Sequence, residues 1–466
     1  MGPRRRSAGV FTKDKPLITR MATTRTKCFA LLASALISMA SVAFAQDSGP
    51  LLDLLVKKGI VNDQEAETLR AELVKDFAAN TSAGKLNLSS TLTELRLSGD
   101  LRARFESRTG ELPSGDHQER DRFRYRFRTS LTGKVVNDWS FGVRLETANG
   151  SRSSNVTMGD DSAANTSPFH KASDGVYVGQ IYLTYTPSPL FNITVGRMPN
   201  PLNTTLMVWD GDINPEGFAE QFKFRDGNNE FSATLGQFLY SAASTQNTFG
   251  AGANVKDMGL LAWQAGYKAY LEGTSKFFLV TPTLYTYVRS SQNAAAFRDG
   301  FSPTANQTAV NNLTVVEVPF EFDWLLGGVP ARAYADVAIN LDAKDRASKF
   351  GRSDLDGQNK AFTVGFQYGK AVNKGEWDAR IFYQAVQAFA LDPNLVDSDI
   401  FDSRTNMRGL VIGGDYALGG ATMLTVTASQ AKRINDTIIA PGAGDIGANN
   451  ALDKYWLLQA DIVVKF

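Results

Sequence analysis

From Thr93 onward the chain alternates. Leu95, Leu97, Gly99, Leu101, Ala103 and Phe105 take every second place, and Arg96, Ser98, Asp100, Arg102, Arg104 and Glu106 fill the places between. The next segment repeats the pattern, with Phe123, Tyr125, Phe127, Thr129 and Leu131 set against Arg122, Arg124, Arg126, Arg128 and Ser130. Side chains of an extended strand point alternately to opposite faces, so each segment has one apolar face and one charged face. Ordinary strands run about 5–6 residues, and these keep the alternation for about twice that. Strands so long, with an apolar medium required on one side and water on the other, constrain the fold more than any other feature of the sequence.

The same pattern predicts further strands near 138–148, 175–187, 190–198, 216–226, 229–240, 257–270, 276–289, 314–324, 330–342, 359–371, 374–388, 405–418, 421–433 and 454–466. With the first two this makes a 16-stranded antiparallel transmembrane β-barrel over 91–466. Poor alternation in 257–289 leaves the count open by two. The connections sort by length. Val135–Asp138, Pro187–Pro189, Asp226–Asn229, Glu272–Ser275, Gly327–Gly328, Asn373–Lys374 and Gly419–Gly420 read as tight turns. Between them fall long polar segments at 107–120, 149–174, 199–215, 241–256, 290–313, 343–358, 389–404 and 434–453. Short turns at one end and long loops at the other are the order of an outer-membrane barrel, and a soluble sandwich has no reason to keep it. Tyr185, Trp263, Tyr267, Trp377, Tyr383, Tyr416 and Trp456 fit interfacial aromatic belts.

Upstream, residues 1–45 read as a signal region. Arg25 and Lys27 precede an apolar stretch from Cys28 to Val42, and Ala43-Phe44-Ala45 forms a cleavage site. That stretch is shorter than the roughly 20 residues a membrane-spanning helix needs. Met21 is the expected initiator. The only cysteine, Cys28, leaves with the signal, so neither a disulfide framework nor thiol chemistry is expected. Residues 1–45 hold eight of the 49 Lys/Arg and one of the 48 Asp/Glu, so the remainder is mildly acidic, without a footprint for nucleic acid. Residues 46–90 read as a periplasmic helical or coiled-coil arm and linker. Leu51, Leu52, Leu54 and Leu55 lead to Gly59, then Asn62 and Glu65 make a capping box before Ala66, Leu69, Leu73 and Phe77. Packing or oligomerisation is the expected role of this arm, with cell-wall contact the alternative.

At the other end Trp456, Leu458, Ala460, Ile462, Val464 and Phe466 share one face. A terminal strand closing on Phe466 resembles the signal read by the barrel-assembly machinery of bacterial outer membranes. Together with Leu51–Leu55, the charged strand Leu95–Phe105, Val195-Gly196-Arg197-Met198 with Asn200-Pro201, and Trp209–Gly217, the chain resembles the bacterial porins, and more closely a group described as "Putative porin". The resemblance spans essentially the whole mature chain. It implies a passive channel in the outer membrane, surrounded by lipid and lipopolysaccharide, forming a homotrimer and passing small polar solutes and ions without a cofactor.

The resemblance also implies a constriction. In trimeric general porins the loop in the position of 199–215 folds into the barrel. Here that loop carries Asp210 and Asp212, with Glu216 just beyond. Arg96, Arg102, Arg104, Arg122, Arg124, Arg126, Arg128 and Arg144 occupy the polar faces of the first three strands. They are expected to line the pore, because outward arginine costs about 2–4 kcal/mol at the bilayer midplane. Carboxylates facing this ladder would set a transverse field and bias ion permeation. A turn cap or calcium ligand is the competing role for the two aspartates. Arginine at this density also fits an anion channel for phosphate or an organic acid. A structural tether or adhesin is the reading from another class. An enzyme is not expected: the two histidines, His117 and His170, fall in separate long segments, and the chain has no H-E-x-x-H, P-loop or G-x-S-x-G motif.

Overall fold

The computed structural model describes residues 58, 89–148, 153–159, 175–241, 257–273, 275–288, 313–349, 351–438, 445–446 and 452–466. The signal region and, apart from Lys58, Ser89 and Ser90, the helical arm lie outside these. The chain divides into two units, 1–88 and 89–466, and every described strand belongs to the second.

That unit is a closed antiparallel β-barrel. Its strands are β1 (Leu92–Glu111), β2 (His117–Val135), β3 (Trp139–Ala148), β4 (Val156–Thr157), β5 (Gly175–Ser188), β6 (Phe191–Arg197), β7 (Glu216–Asp226), β8 (Asn229–Ser241) and β9 (Met258–Glu272). There follow β10 (Lys276–Val280), β11 (Thr283–Val288), β12 (Thr314–Leu326), β13 (Val329–Asn340), β14 (Lys360–Gly369), β15 (Trp377–Val386), β16 (Met407–Ala417), β17 (Thr422–Arg433) and β18 (Lys454–Lys465). β18 returns to pair with β1, placing Asp461 opposite Arg104 and Lys465 opposite Asp100, so the wall has no free edge. β10 and β11 are halves of one wall strand, since both pair with β9 on one side and β12 on the other. Thr281-Pro282 separates them, and proline has no N–H for the ladder. This break lies in 257–289, where the alternation is poorest. β4 is a two-residue ribbon on β2. Setting β4 aside and joining the halves, the wall has sixteen strands, as the alternation predicts.

The faces separate by chemistry. Leu97, Leu101, Phe123, Leu131, Ile181, Phe218, Phe222, Phe320, Val364, Ile381, Leu410 and Ile412 are exposed on the outside. In water so large an apolar surface would associate; in a bilayer it is the face lipid requires. Trp139, Tyr185, Trp377 and Tyr416 sit next to the tight turns, and Trp139 stacks on Tyr185 with ring centroids 4.9 Å apart. Gly327 and Gly328, at φ 62° and 83°, make the two-residue turn between β12 and β13, a backbone region glycine enters without steric cost.

Short and long connections alternate around the barrel, with two corrections: the turn read at Asn373-Lys374 is the longer link 370–376 between β14 and β15, and the first long segment is mostly strand. Most of 107–120, read as a loop, is strand: β1 and β2 stay in register out to Glu111 opposite His117, leaving only 112–116 as the link. His117 therefore opens a strand. The 343–358 segment holds a short helix, α1 (Ala343–Lys349), and a 3₁₀ turn at Ser353–Leu355.

Candidate functional site

The register of β1 and β2 sets the problem that the interior has to solve. Arg102 stands opposite Arg126, Arg104 opposite Arg124, and Arg108 opposite Arg120. Like charges directly across a ladder are destabilising, so such a sheet needs acid from elsewhere. Two neighbours supply part of it: Asp100 opposes Arg128, and Glu106 opposes Arg122. Asp100 accepts from Arg126 at 2.7 Å and from Arg128 at 2.7 Å. Glu106, fully buried, accepts from Arg122 at 2.6 Å and Arg108 at 2.9 Å, with Arg104 and Arg124 at 3.6 Å and Gln459 donating at 3.0 Å. Asp461 on β18 takes a bidentate pair from Arg104 at 2.6 and 2.8 Å.

Of the remaining predicted arginines, all but Arg96 lie around this cluster. Arg102 donates to Asn155 and has Asp461 at 3.9 Å. Arg124 donates to the Asn155 carbonyl at 3.2 Å and the Ser153 hydroxyl at 3.3 Å. Arg144 lies 2.9 Å from Glu146. Arg96 is exposed, close to the turn end of β1 and away from the cluster. Most of these guanidinium groups are shut away: the side chains of Arg104, Arg122, Arg124 and Arg126 are 4–8% exposed, against 23% for Arg128.

The connection 198–215 packs inside the barrel along the far wall. Met198, Leu202, Met207, Val208 and Trp209 are buried there, with the Trp209 ring edge-on to Phe238. Asn203 pairs with Gln264 and Thr281, Thr204 donates to Glu317 at 2.6 Å, and Thr205 donates to Asp336. The three predicted carboxylates go to three places. Asp212 approaches the arginines, 3.7 Å from Arg128. Asp210 is buried, accepts the backbone N–H groups of Asp212 at 2.9 Å and Ser398 at 3.1 Å, and gives its own N–H to the Leu395 carbonyl. Glu216 opens β7 and, more than half exposed, accepts from Arg197 at 3.2 Å.

Sequence reasoning missed a second inward connection, 387–406. Phe389, Ala390, Leu391, Leu395, Val396, Ile400 and Phe401 are buried, which is the signal that an external loop would not carry. Its Asp392 accepts from Tyr240 on β8 at 2.8 Å and from Tyr287 on β11 at 2.9 Å. Seven residues later Asp399 accepts from Arg104 at 2.7 Å and Arg108 at 3.0 Å, both on β1. β1 and β11 lie on opposite sides of the sixteen-strand ring, so the segment crosses the interior. Asp402 continues the contact, accepting from Arg108 at 2.8 Å and from the backbone of Asp445 and Ile446.

Phe466 finishes the closing seam. Its backbone exchanges hydrogen bonds with Gly99, 2.8 Å to its carbonyl and 3.1 Å from its N–H. A Cβ on Gly99 would stand 2.5 Å from the Phe466 ring, so the ring covers a position that only glycine leaves open.

The family described as "Putative porin" matches residues 112–314 and 329–466. No curated protein matches the sequence. Among solved structures the chain is similar to the anion-selective porin from Comamonas acidovorans, at 10% identity and TM-score 0.46 over 80% of this chain and 99% of that one. It is similar also to Salmonella typhi OmpF in complex with daunomycin, at 10% identity and TM-score 0.44 over 81% and 99%. A third likeness is to Pseudomonas putida OprB at high pH, at 9% identity and TM-score 0.47 over 80% and 94%. With a family match over well more than half its length, and a closed barrel that is apolar outside and charged within, the chain belongs to the "Putative porin" family of outer-membrane β-barrels.

Proposed function

We propose that the chain forms a water-filled channel through which small polar solutes and ions diffuse passively, with the arginine-bearing strands β1–β3 as one wall and 198–215 as a constriction. The observation that carries this reading is the division of faces. Leucine, isoleucine and phenylalanine cover the outside of sixteen strands, and arginine, aspartate and glutamate turn inward at the same depth. Charged groups at membrane depth are tolerated where they face water or one another. The approach of Asp212 to Arg128 supports a field across the narrowed part, and Thr204, Thr205 and Asn203 give 198–215 fixed anchors. Export by a cleaved signal over 1–45 and an arm over 46–90, both read from the residue pattern, and a homotrimeric assembly, on the family resemblance, complete the proposal.

The test is single-channel recording of purified, refolded protein in a planar bilayer, with reversal potentials taken in a KCl gradient. Stable open steps are expected. Arg128→Ala removes the partly exposed arginine charge nearest Asp212 and moves the reversal potential toward cation preference. A folded barrel that passes no current would move the weight to a structural tether.

A further inference from the structure

We infer that segment 387–406 is a crossbar that sets ion selectivity in this channel, with Asp399 as the selectivity-determining residue. The inference rests on the channel reading above and adds to it a second constricting element, carrying charge of the opposite sign to the wall.

Exposure carries it first. An ion is steered by charges that water can reach, and the arginines of the ladder that Asp399 contacts are not among them. Arg104 and Arg108 have side chains 4% and 2% exposed, while Asp399, which covers both, is 30% exposed. Beside it Asp445 is 39% exposed over Arg122. Arg120, 40% exposed against Asp445, offsets that second carboxylate, so over Arg104 and Arg108 it is Asp399 that the ladder turns to the lumen. Rings of side-chain charge at a narrowing fix the sign of the preferred ion, so the outermost groups decide.

Position carries it second. The crossbar is held at both ends and in the middle. Asp392 is tied to Tyr240 and Tyr287 on one side, and Asp399 and Asp402 are tied to Arg104 and Arg108 on the other. Between them the Asp397 N–H donates to the Leu206 carbonyl, and Ser398 donates to Asp210. The two inward connections are therefore clasped to each other, and solutes pass beside Asp399 rather than beside a loop free to swing away.

The experiment compares wild type with Asp399→Asn in the KCl-gradient recording. Asparagine keeps size and one acceptor and removes one negative charge from the edge over Arg104 and Arg108. A unit charge about 7 Å from a passing ion in water acts with about one RT before screening, so the anion-to-cation permeability ratio rises about three- to sevenfold near 0.1 M salt. Because the exchange disturbs a buried cluster, a second variant places charge after folding. Ser398→Cys, reacted in the inserted channel with a sulfonate-bearing or a trimethylammonium-bearing thiol reagent, shifts the ratio toward cations with the first and toward anions with the second. Wild-type channels whose ratio is unmoved by Asp399→Asn, or by both labels on Ser398→Cys, would overturn the inference while leaving the channel intact. A folded wild type that passes no current would overturn both.

Discussion

Glu106→Gln tests whether the arginine cluster is held together by charge balance. Glu106 is fully buried among Arg108 at 2.9 Å, Arg122 at 2.6 Å, and Arg104 and Arg124 at 3.6 Å. Glutamine is nearly isosteric and keeps an oxygen toward Arg122, so the change removes the charge and the acceptor that faces Gln459. Around this point Arg102, Arg104, Arg108, Arg122 and Arg124, with Arg120 and Arg404 beside them, share the carboxylates of Glu106, Asp399, Asp402, Asp445 and Asp461, so the substitution adds one more unit to an existing excess of positive charge. Breaking a buried ion pair from one side costs about 3–5 kcal/mol. Four carboxylates remain, and water reaches Asp399 and Asp445, which places the cost near the lower end, about 3 kcal/mol. The assay is urea unfolding of refolded protein in detergent, followed by tryptophan fluorescence. The midpoint falls by that cost divided by the wild-type slope, with the slope unchanged. Glu94→Gln, whose exposed carboxylate pairs with Lys134 at 2.6 Å, serves as control and moves the midpoint little. Equal midpoints for Glu106→Gln and wild type would refute the idea that the cluster depends on its central carboxylate.

Ile412→Arg, on the outer face of β16, lowers stability by about 2–4 kcal/mol in the same assay, as for any arginine turned to lipid near the midplane. Thr204→Val with Thr205→Val removes two hydrogen bonds to the buried Glu317 and Asp336 side chains, worth about 0.5–1.5 kcal/mol each. It frees 198–215, so single-channel traces gain flicker at unchanged ion preference; traces as quiet as wild type would count against the anchors. Burial raises the Asp399 carboxyl, but Arg104 and Arg108 outweigh it and hold the group well below the ordinary aspartate range. A carboxylate depressed in the folded state keeps its stabilising contribution above its ordinary range and loses it only as pH falls through the lowered value. The difference in reversal potential between wild type and Asp399→Asn therefore persists from pH 7 down to about pH 4, near the ordinary aspartate value, and its disappearance by then would show that Asp399 titrates normally.

The strands were legible because their two faces differ, and they ceased to be legible where the difference ends. Beyond Glu106 both faces of β1 turn polar, with Ser107 and Thr109 on one and Arg108 on the other, so strand reads as loop although the ladder continues to Glu111. Sixteen strands could be counted even through Thr281-Pro282, because the turns on each side of the break fix the number. The interior was legible in part. Arginines could be assigned to one face by period alone, but which carboxylate meets which arginine depends on contacts nearly 300 residues apart, such as Arg104 with Asp399. Asp210 meets a backbone N–H of Ser398, a partner that no residue type announces. The crossbar did leave a mark in its own composition, since Phe389, Leu391, Leu395, Val396, Ile400 and Phe401 are a poor surface for a loop in water.

The charges also imply an order of assembly. Asp100 and Glu106 supply counter-charge within the hairpin that places Arg102 against Arg126 and Arg104 against Arg124, and ring closure adds Asp461, which meets Arg104 only when β18 has returned to β1. Until then β1 and β2 carry opposed like charges whose pairing is locally unfavourable. Closure does not finish the task, because Arg108 and Arg122 still lack Asp399, Asp402 and Asp445, all of which come from connections on the loop end. Those connections find their partners only on a formed wall: the crossbar needs Tyr240 and Tyr287 on one side and β1 on the other before its own acids are placed. The wall's arginines are thus met in part by acids from the connections, and the hairpin that places arginine against arginine depends on segments far from it in sequence.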